Sequence, residues 1–84
     1  MPVISRFYGI VIKMFFIGSE HNPPHFHAIY GEYIAEFNIK TLDVIEGDLP
    51  TKARNLVIEW AEKNQKELMK IWETQEFVEL KPLE

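Results

Sequence analysis

Apolar residues run in short blocks or alternate through the first half of the chain, and recur at spacings of three and four through the second. Phe7 to Phe16 is rich in β-branched and aromatic residues and apolar on both parities, which predicts one strand, central in a sheet or covered on both faces. Gly18 to Pro24 predicts a loop, because glycine, serine, asparagine and two prolines cannot continue a ladder. Asn22 and Pro23 each precede a proline and are biased to extended geometry, so the loop feeds directly into the next strand.

The next two strands can be paired from their side chains. With Gly31 and Glu32 at the centre of a tight type II′ turn, Tyr30 faces Tyr33, Ile29 faces Ile34, Ala28 faces Ala35, His27 faces Glu36, Phe26 faces Phe37 and His25 faces Asn38. Alternation then puts Phe26, Ala28, Tyr30, Tyr33, Ala35 and Phe37 on one apolar face, the expected core. The opposite face carries His25, His27, Glu36 and Asn38 as a predicted surface. A short strand, Leu42 to Glu46, is expected to return after a turn near Lys40 and Thr41, with Asp43 beside Asn38 and Val44 joining Phe37 in the core.

Beyond Gly47 the period changes. Asp48 or Thr51 can cap a helix with Pro50 in its first turn, and Ala53, Leu56, Val57, Trp60, Ala61, Leu68, Ile71 and Trp72 form a stripe suited to covering a sheet. Trp60 and Trp72 read as core residues. Unbroken to Glu76, the helix would be about 39 Å long and would overhang the sheet. Asn64 and Glu67 resemble a capping box, so a kink or a second helix can start there. Phe77 to Leu80 reads as a short strand or an extended segment on the sheet edge. The expected fold is thus α+β: an antiparallel meander of three to four strands packed on one long or kinked C-terminal helix, or on two helices.

Composition narrows this picture. A chain of 84 residues has room for one domain, residues 1–84, with a modest core. It has no cysteine, which excludes disulfides and thiolate metal sites. No signal-like or membrane-length apolar run is present, so the default expectation is a cytoplasmic protein. Net charge is −4, with five acidic residues from Glu32 to Asp48 against Lys40 alone. That run is a solvated face or a docking surface for a basic partner. No basic stripe of the kind that neutralises phosphates appears, so direct nucleic-acid binding is not expected. Nucleophile elbows and phosphate-binding glycine loops are also missing. The expected edge strands and overhanging helix are consistent with a homodimer.

The concentrated chemistry is His21-Asn22-Pro23-Pro24-His25-Phe26-His27. His25 and His27, two apart on a strand, project from one face about 7 Å apart. Glu36 lies across from His27, and His21 can reach back from the loop. Two or three imidazoles with one carboxylate suit zinc, or another divalent transition metal such as iron or manganese, in an open site. With a coordination position left for water, the same groups would support hydrolysis. The plainer alternative is an ordinary cross-strand pair of a histidine with a glutamate, stabilising by about 0.2–1 kcal/mol. Arg6 and Tyr8 share one parity of the first strand and can approach this face.

Several of these segments together resemble a known family. Ile4-Ser5-Arg6-Phe7-Tyr8-Gly9-Ile10, the stretch from His21 to Ala28, Tyr30-Gly31-Glu32-Tyr33, Leu49-Pro50 and Glu59-Trp60-Ala61 are similar to the family known as domain of unknown function 4160, over nearly the whole chain. The resemblance implies a small bacterial protein from a two-gene, toxin–antitoxin-like unit, and so a co-encoded small protein partner. The leading expectation is a regulatory or protein-interaction module. The runner-up is a metal-dependent hydrolase or nuclease using His21, His25, His27 and Glu36.

Overall fold

The computed structural model describes residues 3–14 and 23–84. These form five strands and two helices: β1 (Val3–Phe7), β2 (Ile10–Lys13), β3 (His25–Tyr30), β4 (Tyr33–Asn38), β5 (Val44–Gly47), α1 (Thr51–Lys63) and α2 (Gln65–Thr74). The sheet is an antiparallel meander in the order β1-β2-β3-β4-β5. This is the α+β arrangement expected, with one more strand than the sequence indicated.

The extra strand comes from the segment read as one strand from Phe7. Tyr8 and Gly9 have φ of 49° and 79°, the signs of a type I′ hairpin turn, and Phe7 pairs back onto Ile10. Tyrosine rarely takes positive φ, so this turn is poorly signalled. The double parity has a local cause. Ile10, Ile12 and Met14 point into the core, while Val11 is a half-buried aliphatic on the other face. Phe15 and Phe16 lie outside the described residues.

The β3–β4 register is the one predicted, all six pairs included. Gly31 takes φ of 59° and Glu32 is not in the positive-φ region, as a type II′ turn requires. Phe26, Ala28, Ala35 and Phe37 are buried, and the Phe26 and Phe37 rings stack at 5.3 Å. Tyr30 and Tyr33 do not join them, at 38% and 51% exposure; Tyr30 lines an open depression beside the start of α1. Beyond β4, Asn38 Oδ1 accepts from Lys40 N and Thr41 N, and Asn38 N donates to the Asp43 carbonyl, which brings Asp43 beside Asn38 as expected. Leu42 supplies the positive φ (63°) that no glycine was available to take. Val44 pairs with Phe37 and packs against the core.

α1 covers the inner face of the sheet. Trp60, 1% exposed, lies 5.5 Å from the Phe7 ring and 6.0 Å from that of Phe26, and its indole N–H donates to the Lys81 carbonyl. The N-cap position is Pro50, with no side-chain cap; neither Asp48 nor Thr51 caps the helix, and Asp48 Oδ1 accepts instead from Leu49 N. The helix breaks at Asn64. Its backbone N–H bonds the Ala61 carbonyl while its side-chain amide takes that of Trp60. Asn64 thus ends one helix and starts the next, with no capping box. Gln65 fixes the break to the sheet by donating to the Ile39 and Lys40 carbonyls. After α2, the tail returns extended along β1, where Leu80 N donates to the Ile4 carbonyl. No helix among the described residues is long and apolar enough to cross a membrane.

Two glycines should respond very differently to alanine. Gly47 (φ 78°) lies against β4, where a Cβ would collide with the Ile34 carbonyl oxygen and approach Ala35 Cα to 3.1 Å. Gly31 (φ 59°) has open space around the same position. Urea unfolding should show Gly47→Ala losing at least about 3 kcal/mol and Gly31→Ala only about 1–2 kcal/mol, the left-handed backbone cost alone. Equal losses would contradict the close packing of β5 on β4.

Candidate functional site

Four strands contribute to one polar row. Lys13 pairs with His27, His27 with Glu36, and Glu36 with Glu46, so the outer face carries Lys13–His27–Glu36–Glu46 in register from β2 to β5. His25, two residues before His27 on β3, projects from the same face. The two imidazoles are 5.3 Å apart, centroid to centroid. One ligand-capable atom from each of His25, His27 and Glu36 lies within 4.8 Å of the others, the geometry of a group able to hold one metal ion.

Each side chain is held in its own way. His25 is 6% exposed, and its ring packs 5.1 Å from that of Trp72. Its Nδ1 lies 2.9 Å from the Pro23 carbonyl oxygen. A carbonyl can only accept, so in the neutral ring Nδ1 carries the proton and Nε2 keeps its lone pair. That lone pair faces Glu36 Oε1 at 3.9 Å. His27 Nε2 stands 2.8 Å from the same oxygen and donates to it.

The pKa of His27 is lowered from the ordinary histidine value, chiefly because burial penalises the charged ring. Attraction to Glu36 opposes this and His25 reinforces it; the Glu36 hydrogen bond and the more distant Glu46 also oppose. Desolvation prevails, and the neutral imidazole is favoured. Beside the pair is an open depression of about 330 Å³, lined by His27, Ile34, Glu36, Glu46 and Gly47.

Of the residues singled out from sequence, His25, His27 and Glu36 come together. His25 is not outward on an open surface as expected, because Trp72 covers it. Asn38 shares the face, but its side-chain oxygen is taken by the turn after β4, so it offers the site no acceptor. His21 lies outside the described residues. Arg6 is exposed on the outer face of β1, two strands from His27, and Tyr8 belongs to the β1–β2 turn.

Sequence reasoning missed Trp72, Glu46 and Lys13. Trp72 continues the helical stripe, and only the break at Asn64 brings it to His25. Glu46 comes opposite Glu36 through a register shift in β5 that makes room for Ile45. Strict alternation from the Phe37–Val44 pair would have put Ile45 there.

The chain belongs to the family described as domain of unknown function (DUF4160), whose model matches residues 9–73. The match takes in β2 through nearly all of α2, including every residue of the row and Trp72. Compared with the curated proteins and with the solved structures, the chain finds no match in either.

The lowered pKa of His27 has a definite sign in stability. The unfolded chain, with a histidine pKa of about 6.5, binds the proton more readily than the folded one. Stability from keeping His27 neutral is therefore complete above that pH and is lost as pH falls through it towards the lower folded value. In chelator, the urea midpoint of the wild type should drop between neutral pH and the onset of carboxylate titration. His27→Gln should flatten this part of the profile, and an identical profile in the variant would refute the assignment.

Proposed function

We propose that the chain binds one divalent transition-metal ion through His25, His27 and Glu36, on the outer face of its sheet. The observation that carries this reading is the convergence of three ligand-capable atoms within 4.8 Å. Further support comes from how the groups are prepared. The Pro23 carbonyl orients His25 in the way a backbone acceptor commonly orients a ligating histidine, leaving Nε2 available. Burial keeps His27 in the neutral form that ligation requires. Glu46, opposite Glu36, adds a second negative charge to the row, which a cation would offset.

Two imidazoles and a carboxylate favour zinc, iron(II) or manganese(II), and three protein ligands leave room for water or an oxygen ligand. Glu46, which lines the depression, would serve as the general base towards such a water. A hydrolase or nuclease activity rests on that further step.

A second reading is a regulatory or protein-interaction module working with a co-encoded partner, as in a toxin–antitoxin-like unit. It is favoured by apolar side chains left in solvent on β4 and β5, Ile34 at 54% and Ile45 at 44% exposure. The two readings are compatible if the metal orders the face that the partner meets.

Trp72 provides a local reporter, since its ring lies 5.1 Å from that of His25. In a Trp60→Phe background, cobalt(II) titrated into chelator-stripped protein should quench Trp72 fluorescence with a stoichiometry of about one per chain. Zinc should compete, and His27→Gln or Glu36→Gln should weaken binding by about tenfold or more while the far-ultraviolet dichroism is unchanged. Metal analysis of protein purified without added metal should agree. No quenching at micromolar cobalt, with no metal retained on purification, would sink the metal reading.

A further inference from the structure

The outer face of the sheet has an order that the metal cluster does not account for. Beside the row Lys13–His27–Glu36–Glu46 runs a second cross-strand row, Arg6–Val11–Ile29–Ile34. Its members alternate with core residues on their strands, so they share the face that carries His27. Val11 and Ile29 are half-buried; Arg6 and Ile34 are exposed, Ile34 at 54%. Charge is divided across the face: Arg6 and Lys13 stand on β1 and β2, Glu36 and Glu46 on β4 and β5.

We infer that this face is a self-association surface, on which a second copy of the chain stacks about a two-fold axis running along the strands between β3 and β4. The reason is the symmetry of the rows. Rotation about that axis exchanges β3 with β4 and β2 with β5. Lys13 of one copy then meets Glu46 of the other, His27 meets Glu36, and Ile29 meets Ile34. These three pairs are complementary, as an isologous interface requires, while Arg6 on β1 lies outside the overlap. A copy shifted by one strand would set Glu36 against Glu36 of its mate.

The sheet edges are weaker candidates. β1 already accepts the Leu80 N–H at Ile4, and β5 is four residues long with a register shift opposite β4. The overhanging helix that first suggested a dimer does not exist, because the helical segment breaks at Asn64. Four strands spaced about 4.8 Å apart make a face smaller than the ~800 Å² per partner of standard interfaces. Association on so small a face is concentration-dependent.

Sedimentation in chelator, from about 1 to about 200 µM chain, separates this inference from the metal reading. The wild type should move from monomer mass to twice that mass across the range. Lys13→Glu and Glu46→Lys should each weaken association by about tenfold or more, and the double reversal K13E/E46K should recover it, because each new charge meets its opposite on the other copy. Ile34→Lys, at an exposed position where folding is not at stake, should leave only monomer. A wild type that remains monomeric at the highest concentration would overturn the inference. So would a double reversal no better than either single variant.

Discussion

A slip of one residue between β3 and β4 would turn one strand over against the other, putting either Phe26 in water and His27 in the core, or Phe37 in water and Glu36 in the core. Fully burying each phenylalanine is worth about 1.5–3 kcal/mol, and burying the polar residue without its partner would cost several more. That double penalty fixes the register, and the type II′ turn at Gly31 closes it. The neighbouring pairings build outward from it: β2 lays Lys13 beside His27, and β5 brings Glu46 beside Glu36. The stacked rings of Phe26 and Phe37 then give α1 the surface on which Trp60 closes the core.

The helical break is the second constraint. Asn64 diverts the carbonyl of Trp60 to its own side chain, and Gln65 ties the start of α2 to two carbonyls of the β4–β5 turn. Without the break, a single helix would run past the sheet. With it, Leu68 and Ile71 stay in the core while Trp72 reaches His25. His25 is consequently buried between an indole and a carboxylate, held by a backbone carbonyl through one nitrogen and presenting the other. Core packing and the preparation of the site thus depend on the same two side chains at one helix junction.

The β3–β4 hairpin was legible because its sequence is nearly a palindrome in hydropathy about Gly31, and alternation leaves only one sensible register. The identity of His25, His27 and Glu36 as a group follows from that alone. The first hairpin was not legible. Its turn uses a tyrosine in a conformation that tyrosine seldom adopts, so a run of apolar residues on either side read as one strand. Glu46 was hidden by a register shift, which has no compositional signature in Val44-Ile45-Glu46. Trp72 was correctly placed on an apolar stripe and packs partly buried against the core, but its contact with His25 was not legible, because periodicity gives the face of a helix and not the direction the next helix takes. Tyr30 and Tyr33 erred the other way: their parity is that of the core, but parity does not say how closely the helices pack on each position.

The polar row itself runs against local rules of sheet stability. Like charges directly opposite on neighbouring strands are destabilising, and Glu36 meets Glu46 in that position. The histidine beside them gives little compensation, since burial disfavours its charged form. Lys13 stands at the far side of His27, one strand further from the two carboxylates. A threonine or valine at either glutamate would suit a strand better, and nothing in the core requires an acid there. Local conflicts of this kind in an otherwise consistent fold are expected where a ligand or a partner supplies the missing charge. Both proposals for this face do that, one with a cation held by Glu36 and the two histidines and the other with the lysine of a second chain. The cation would be held at the His27–Glu36 pair itself, whereas the lysine of a second chain would reach the other carboxylate, Glu46.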